Sequence, residues 1–242
     1  MLSTGLRRLR QKMLSRSRRM SKEVRARYVF YEVGFHGDRH LIQVVDSLIE
    51  HCSHFIETGT NVGSTLAYVA SRYPNVACLS CEPDPEGFQR AERNVAPFPN
   101  AAVQPLSSGD FFTKLQQEQP DLFSHRILFW LDAHGHGFRW PLQEEIAFIT
   151  EKFTSAYLLI DDFKVPGRPE FGFDTYEDQV CDFDHIRESI RPGLHYRLYY
   201  PNYTQRTSPH HGLRGWGLIA YGDKDPSPLE RLPEHCVRRA AP

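Results

Sequence analysis

Five short runs of nearly uninterrupted apolar residues, each followed by a stretch of helical periodicity, constrain the fold of this chain more than any other feature. The runs are HFIETGT (54–60), VACLSCEP (76–83), the weaker AAVQPLS (101–107), RILFWLDAH (126–134) and AYLLIDDF (156–163). A strand with one wet face alternates apolar and polar residues. A continuously apolar strand must be covered on both faces, which is the situation of a parallel sheet between two helical layers. Helical spacing fits 38–52, with apolar residues at 41, 42, 44, 45, 48 and 49, and then 63–74, 84–96, 109–119, 141–153 and 183–191. Asp84 stands where a helix N-cap is expected and Pro141 at a first helical turn. The last two runs, HYRLYYPN (195–202) and GWGLIAYGD (215–223), have no helix between them, so one of the two strands is expected to be antiparallel. The expected class is therefore α/β, a doubly wound, mostly parallel sheet with helices on both faces, built as one domain over 28–242.

Charge separates the first 27 residues from the rest. Of the 29 Lys/Arg, ten lie in 1–27; of the 30 Asp/Glu, only Glu23 does, leaving 19 bases against 29 acids beyond it. The basic segment, with Leu2, Leu6, Leu9, Met13 and Met20 among its arginines, suits a frayed terminus, a transit peptide, or an amphipathic helix that touches a membrane or an acidic partner. The acidic body argues against a nucleic-acid substrate, because phosphate neutralisation needs clustered Lys/Arg. No apolar run approaches the roughly 18 residues of a membrane helix. The five cysteines, Cys52, Cys78, Cys81, Cys181 and Cys236, are odd in number and lack a secretory signal. They read as reduced thiols of a cytoplasmic protein. Cys78 and Cys81 have C-x-x-C spacing inside an apolar strand, which suits core packing better than redox or zinc chemistry.

The turn after the first strand, ETGTNVGST, carries Glu57, Gly59 and Gly63, and the second strand ends in Glu82. Glycines at such a turn let the backbone approach a ligand closely, and an acid about twenty residues on can accept hydrogen bonds from two ribose hydroxyls. The spacing is G-x-x-x-G, which counts against the dinucleotide fingerprint and hence against an NAD-dependent oxidoreductase.

With these motifs the chain resembles class I S-adenosylmethionine-dependent methyltransferases over about 38–222: ETGTNVG as the first motif, CEPDP as the ribose-binding strand end, SSGDFF as the adenine-side loop, LDAHG at the fourth strand, and the helix-free final pair. The resemblance implies a Rossmann-like seven-stranded sheet of order 3-2-1-4-5-7-6 with strand 7 antiparallel. It also implies that Glu57, Gly59, Thr60 and Gly63 face the methionine part, with Ser64 in the same cofactor-binding set. Glu82 would hold the ribose, and Asp110 would lie by the adenine. The family's middle glycine is Asn61 here.

Asp132 ends the fourth strand and Asp161 and Asp162 end the fifth, so with Glu57 they are expected to share one edge of a cleft. Carboxylates so close repel unless a proton or cation joins them, and a hard cation such as Mg²⁺ prefers oxygen ligands. The pattern is similar to metal-dependent sugar and small-molecule O-methyltransferases of the macrocin type. That resemblance implies Mg²⁺ on Asp132, Asp161 and Asp162 beside a small-molecule acceptor, with His134 or His136 as the base. A softer site of Asp132, His134 and His136, or simply a polar turn, is also compatible with the residues. So is a non-catalytic, nucleoside-binding module of the same fold. The segment 164–178 has the length of a lid in which Phe171, Phe173 and Tyr176 cover the acceptor, and His210, His211 and Arg214 are candidates to bind it.

Overall fold

A computed structural model describes residues 34–134, 140–208, 211–222 and 228–240. The basic segment 1–27 lies outside them. In chain order the elements are α1 (Arg39–Ile49), β1 (His54–Thr58), α2 (Ser64–Arg72), β2 (Ala77–Cys81), α3 (Pro85–Val95), β3 (Ala101–Gln104), α4 (Ser108–Glu118), β4 (Arg126–Leu131), α5 (Leu142–Lys152), β5 (Ser155–Ile160), β6 (Thr175–Tyr176), β7 (Gln179–Val180), α6 (Phe183–Ile186), β8 (Tyr196–Pro201), β9 (Gly217–Tyr221) and β10 (Val237–Arg239). A 3₁₀ turn, Gly34–Gly37, precedes α1.

The helix starts follow local chemistry. Asp38 caps α1 by accepting from the amides of His40 and Leu41, Asp84 caps α3 through the amide of Gly87, and Ser107 caps α4 through that of Asp110. α1 turns Leu41, Val44, Val45, Leu48 and Ile49 inward. Each such side chain contributes roughly 1.5–3 kcal/mol on burial.

The main sheet runs β10-β8-β9-β5-β4-β1-β2-β3. β3, β2, β1, β4 and β5 are parallel; β9 is antiparallel to both β5 and β8. The seven-strand order expected from the resemblance is present, with β9 in the place of strand 7. An eighth strand extends it, since Val237–Arg239 pairs antiparallel with the free edge of β8. Two expectations change. The helix over 183–191 shortens to α6 plus a 3₁₀ turn at Arg187–Ser189. The segment after β5 carries a small hairpin, β6–β7.

Strands are added from β1 through β2 to β3 in one direction and from β4 to β5 in the other, so by the general right-handedness of such crossovers their helices belong on opposite faces. The inner strands are wholly buried as a result: every residue from Ile127 to Leu131 and from Ala156 to Ile160 is at most 2% exposed. All five cysteines are buried and none is in a disulfide. Burial pushes the Cys78 thiol up to about 12, so it is an inert packing group. No helix among the described residues is long and apolar enough to cross a membrane.

The register sets up the cleft. Thr58 pairs with both Cys81 and Leu131, and Leu131 pairs with Ile160. The next residue of each strand, Gly59, Glu82, Asp132 and Asp161, therefore stands in one row along the carboxyl edge. The order in which successive strands are added to the sheet reverses between β1 and β4, which is where an open α/β sheet binds its ligand.

Candidate active site

The β1 side of this row is a backbone cradle. Gly59 has φ 78°, and a Cβ there would lie 2.5 Å from the carbonyl oxygen of Asp132. Only glycine lets the β1 and β4 loops pass so closely. Gly63, at φ 81°, begins α2 with no side-chain cap, which leaves the first amides of that helix for an anion. Asn61 has φ 50°, a left-handed conformation that asparagine tolerates better than other side chains. Asparagine thus keeps the backbone path that a glycine would allow here.

The acids of the cradle are fixed from nearby in the sequence. Glu82 accepts from the amide of Asn61 (2.6 Å) and the amide of Asp84 (2.9 Å), so the end of β2 grips the glycine loop while each oxygen keeps a further lone pair. Glu57 is 2% exposed and accepts from the Ser80 hydroxyl at 3.0 Å. Burial, reinforced by the charge of Asp132, raises its carboxyl well above the usual range. Thr60 turns its hydroxyl to Ser80 and the Cys81 carbonyl, bracing the turn with its side chain instead of presenting it to the cleft. Ser64 is the first residue of α2. Asp110 is exposed and accepts from the Ser107 hydroxyl at 2.7 Å.

The β4–β5 side is a cluster of side chains from distant parts of the sequence. Asp132, His134, Asp161, Asp162 and Asp174 line one pocket with Trp140, Glu145 and Cys181. His36 and Arg214 reach the cluster from a second pocket that shares Asp161. His36 Nε2 lies 2.5 Å from Asp161 Oδ2, and Arg214 Nη1 lies 2.8 Å from Asp162 Oδ1 and 3.7 Å from Asp174. His134 Nε2 lies 3.3 Å from Asp132, and its Nδ1 lies 3.8 Å from Asp174.

Each shift in acidity has a cause in this packing. Burial and the charge of Asp161 push Asp132 up to about 7, against the pull of His134. Burial and Asp161 likewise raise Asp162 to about 6. The hydrogen bond that His134 donates to Asp132 raises the imidazole to about 9, against burial. Burial opposes a charge on His36, but Asp161 outweighs it and lifts the imidazole to about 9. At neutral pH both histidines therefore carry protons and act as counterions of the acids.

One expectation, that of Phe171, is corrected here, and two others gain neighbours. Asp132, Asp161 and Asp162 come together at this edge, with Asp161 held by His36 and Asp162 by Arg214. Among the described residues, the group at this edge whose ligand atoms all lie within 4.8 Å of one another is His134, Asp162 and Asp174. Arg214, expected as an acceptor contact, is paired with Asp162 and Asp174. Phe171 is fully buried and cannot cover an acceptor, while Phe173 and Tyr176 are partly exposed. His136 and His210 lie outside the described residues; His211 is described, with its ring 5.3 Å from that of His36.

Three residues of the site escape a sequence reading. His36 is delivered by Phe35, which is fully buried and edge-on to Trp130 at 5.1 Å. The two adjacent residues share φ 55°, and the flanking glycines of GFHGD were the available signal. Asp174 comes into place through the hydrogen bond its backbone amide donates to the Asp162 carbonyl (2.9 Å), a loop contact with no local signature. Glu145 is buried on the inward face of α5 with Leu142, Ile146 and Ile149 and is raised to about 7 by that burial. Helical periodicity places it on that face, so an acid among core positions was a legible anomaly.

No family model and no curated protein matches the sequence. Solved structures do match the fold. The O-methyltransferase TomG from Streptomyces achromogenes, in complex with SAM, is 14% identical with TM-score 0.53, covering 76% of this chain and 79% of that one. An O-methyltransferase from Bacillus cereus, in complex with SAH, is 13% identical with TM-score 0.53, covering 75% and 79%. A spermidine synthase from Thermotoga maritima is 14% identical with TM-score 0.51, covering 82% of this chain and 64% of that one. The chain has the Rossmann-like methyltransferase fold. At this identity the likeness fixes the architecture and not the reaction.

Proposed function

We propose that this protein is an S-adenosylmethionine-dependent methyltransferase that acts on a hydroxyl of a small molecule or sugar, with help from a divalent cation. The observation that carries the reading is the register row of Gly59, Glu82, Asp132 and Asp161, which joins a nucleoside-type cradle to a polar, ion-paired cluster across the switch point. The cradle fits the cofactor. Glu82 has lone pairs left for two ribose hydroxyls, and the uncapped amides of α2 suit the carboxylate of its amino-acid end. When bound, the cofactor supplies an electrophilic methyl group.

The chain's own residues do the rest. His134, on giving up its second proton, would join Asp162 and Asp174 in offering one nitrogen and two oxygen ligands to a cation such as Mg²⁺ or Mn²⁺, which would supply positive charge beside the acceptor oxygen. Asp132 stands between that group and Gly59 in the row, and is the carboxylate best positioned to take the hydroxyl proton. His36 and Arg214 hold Asp161 and Asp162 in place and balance their charge. Much of the acceleration would come from holding acceptor and methyl group in line.

A screen of hydroxylated metabolites for transfer of a labelled methyl group tests this reading, with Asp132→Asn and Asp174→Asn assayed with and without Mg²⁺. Transfer that Asp132→Asn leaves untouched would remove Asp132 from the mechanism. Transfer insensitive to both chelator and Asp174→Asn would remove the cation. The same fold also houses the spermidine synthase, so binding of the sulfur nucleoside without methyl transfer to any hydroxyl would favour another reaction or a purely binding role.

A further inference from the structure

A second cluster of metal-binding side chains lies outside the cleft. His40, on the first turn of α1, meets His235 and Cys236, in the turn before β10, with one ligand atom from each within 4.8 Å of the others. Cys236 Sγ is 3.4 Å from His40 Nδ1 and 3.1 Å from Gln43 Oε1, and His235 Nε2 is 3.1 Å from the same Gln43 oxygen. A tetrahedral zinc ion, with bonds of about 2.0–2.1 Å to nitrogen and about 2.3 Å to sulfur, separates its ligand atoms by roughly 3.3–3.6 Å. Cys236 and His40 already stand at that spacing, with His235 within 4.8 Å of both, although His40 lies nearly two hundred residues away in sequence.

The surroundings hold the ligands as a metal site requires. The His40 ring stacks on Tyr203 at 4.3 Å between centroids. The Tyr203 hydroxyl in turn donates to Asp38 and accepts from Trp216 Nε1 at 3.0 Å. The turn bearing His235 and Cys236 is fixed by the bond from Asn202 Nδ2 to the Glu234 carbonyl (2.8 Å) and from the Cys236 amide to the Pro233 carbonyl (2.8 Å). Cys236 is fully buried whereas His235 is exposed, which gives an ion a path from solvent to the sulfur. Such outer partners orient ligands and raise affinity.

We propose that His40, His235 and Cys236 bind a zinc ion, with Gln43 facing its fourth corner, and that the ion clamps the C-terminal strand onto α1. Thiolate and imidazole select zinc over Mg²⁺ or Ca²⁺, so this site and the oxygen-rich cleft take different ions. Binding exchanges the Cys236 S–H bond for a sulfur–zinc bond and releases one proton to solvent. The clamp has a mechanical reason to exist. β10 is three residues long and covers the edge of β8, which would otherwise be open to pairing with another chain.

The test uses tag-free, full-length protein. Titration with Co²⁺ is expected to give a thiolate-to-cobalt charge-transfer band at one equivalent that Zn²⁺ displaces, and zinc is expected to raise the melting temperature. Cys236→Ser should abolish the band. His235→Ala, at an exposed position, should weaken zinc at least about tenfold while leaving the apo circular dichroism unchanged. Asp174→Asn, in the cleft, should leave the band intact. The absence of a cobalt–thiolate band, or a band that survives both Cys236→Ser and His235→Ala, overturns the proposal.

Discussion

The two halves of the cleft are built in opposite ways. The β1–β2 half is local: Glu57, Gly59, Asn61, Gly63 and Glu82 lie within 26 residues, and their hydrogen bonds run among themselves and the adjoining strand ends. It is made mainly of backbone, shaped by which residues tolerate a left-handed conformation. The β4–β5 half is assembled at long range. His36 meets Asp161 across 125 positions and Arg214 meets Asp162 across 52. It is made of charges that hold one another. A cradle of backbone can be specified by a short motif, whereas a cluster of side chains requires the fold to be complete.

The largest effects should fall on chemistry in the β4–β5 half. Asp132→Asn is expected to lower methyl transfer by about 10²–10⁴, the usual worth of a positioned proton acceptor, while calorimetry shows nucleoside affinity within a few-fold of wild type. A parallel loss of affinity would mean that the two halves are not separable. Next comes the backbone half. Gly59→Ala puts a Cβ at φ 78° against the Asp132 carbonyl and should cost about 2–4 kcal/mol in urea unfolding, with loss of nucleoside binding. A neutral result would show that the loops do not pass as closely as described.

The third effect is smaller and depends on pH. His36 is raised by Asp161 from 6.5 to about 9, so the stability it contributes is full below pH 6.5 and is lost as pH rises through about 9. In the presence of chelator, His36→Gln should be about 1–2 kcal/mol less stable than wild type at pH 6, with discounting for partial exposure, and equal to it near pH 10. A gap that persists at high pH would assign the loss to packing instead of charge. The smallest effect tests the reading of Asn61. Asn61→Gly keeps both the left-handed backbone and the amide bonded to Glu82, and should change stability by less than about 0.5 kcal/mol.

The same contrast explains what the sequence made legible. Continuous apolar runs and the missing helix before the last strand specify a doubly wound sheet with one antiparallel member, because burial on both faces leaves no other arrangement. The glycine turn and Glu82 were legible for the same local reason. β10 was not, since three residues carry too little pattern, nor was the breakdown of the 183–191 helix into two short turns. Asp132, Asp161 and Asp162 could be found as strand-end acids, but their partners could not. Nothing near Asp162 in sequence points to Arg214, and Asp174 enters only through a loop hydrogen bond. Phe171, expected over the cleft, is drawn into the core, where it packs edge-on to Tyr203 at 5.5 Å.

The central claim is that the row along the carboxyl edge begins with a site for a sulfur nucleoside. Isothermal calorimetry of the protein with S-adenosylmethionine, S-adenosylhomocysteine and NAD tests it most directly. Binding of both sulfur nucleosides at one site per chain is expected, weakened at least about tenfold by Glu82→Gln through loss of charged hydrogen bonds to the ribose, with no binding of NAD. Binding of NAD alone, or of neither sulfur nucleoside, would contradict the account.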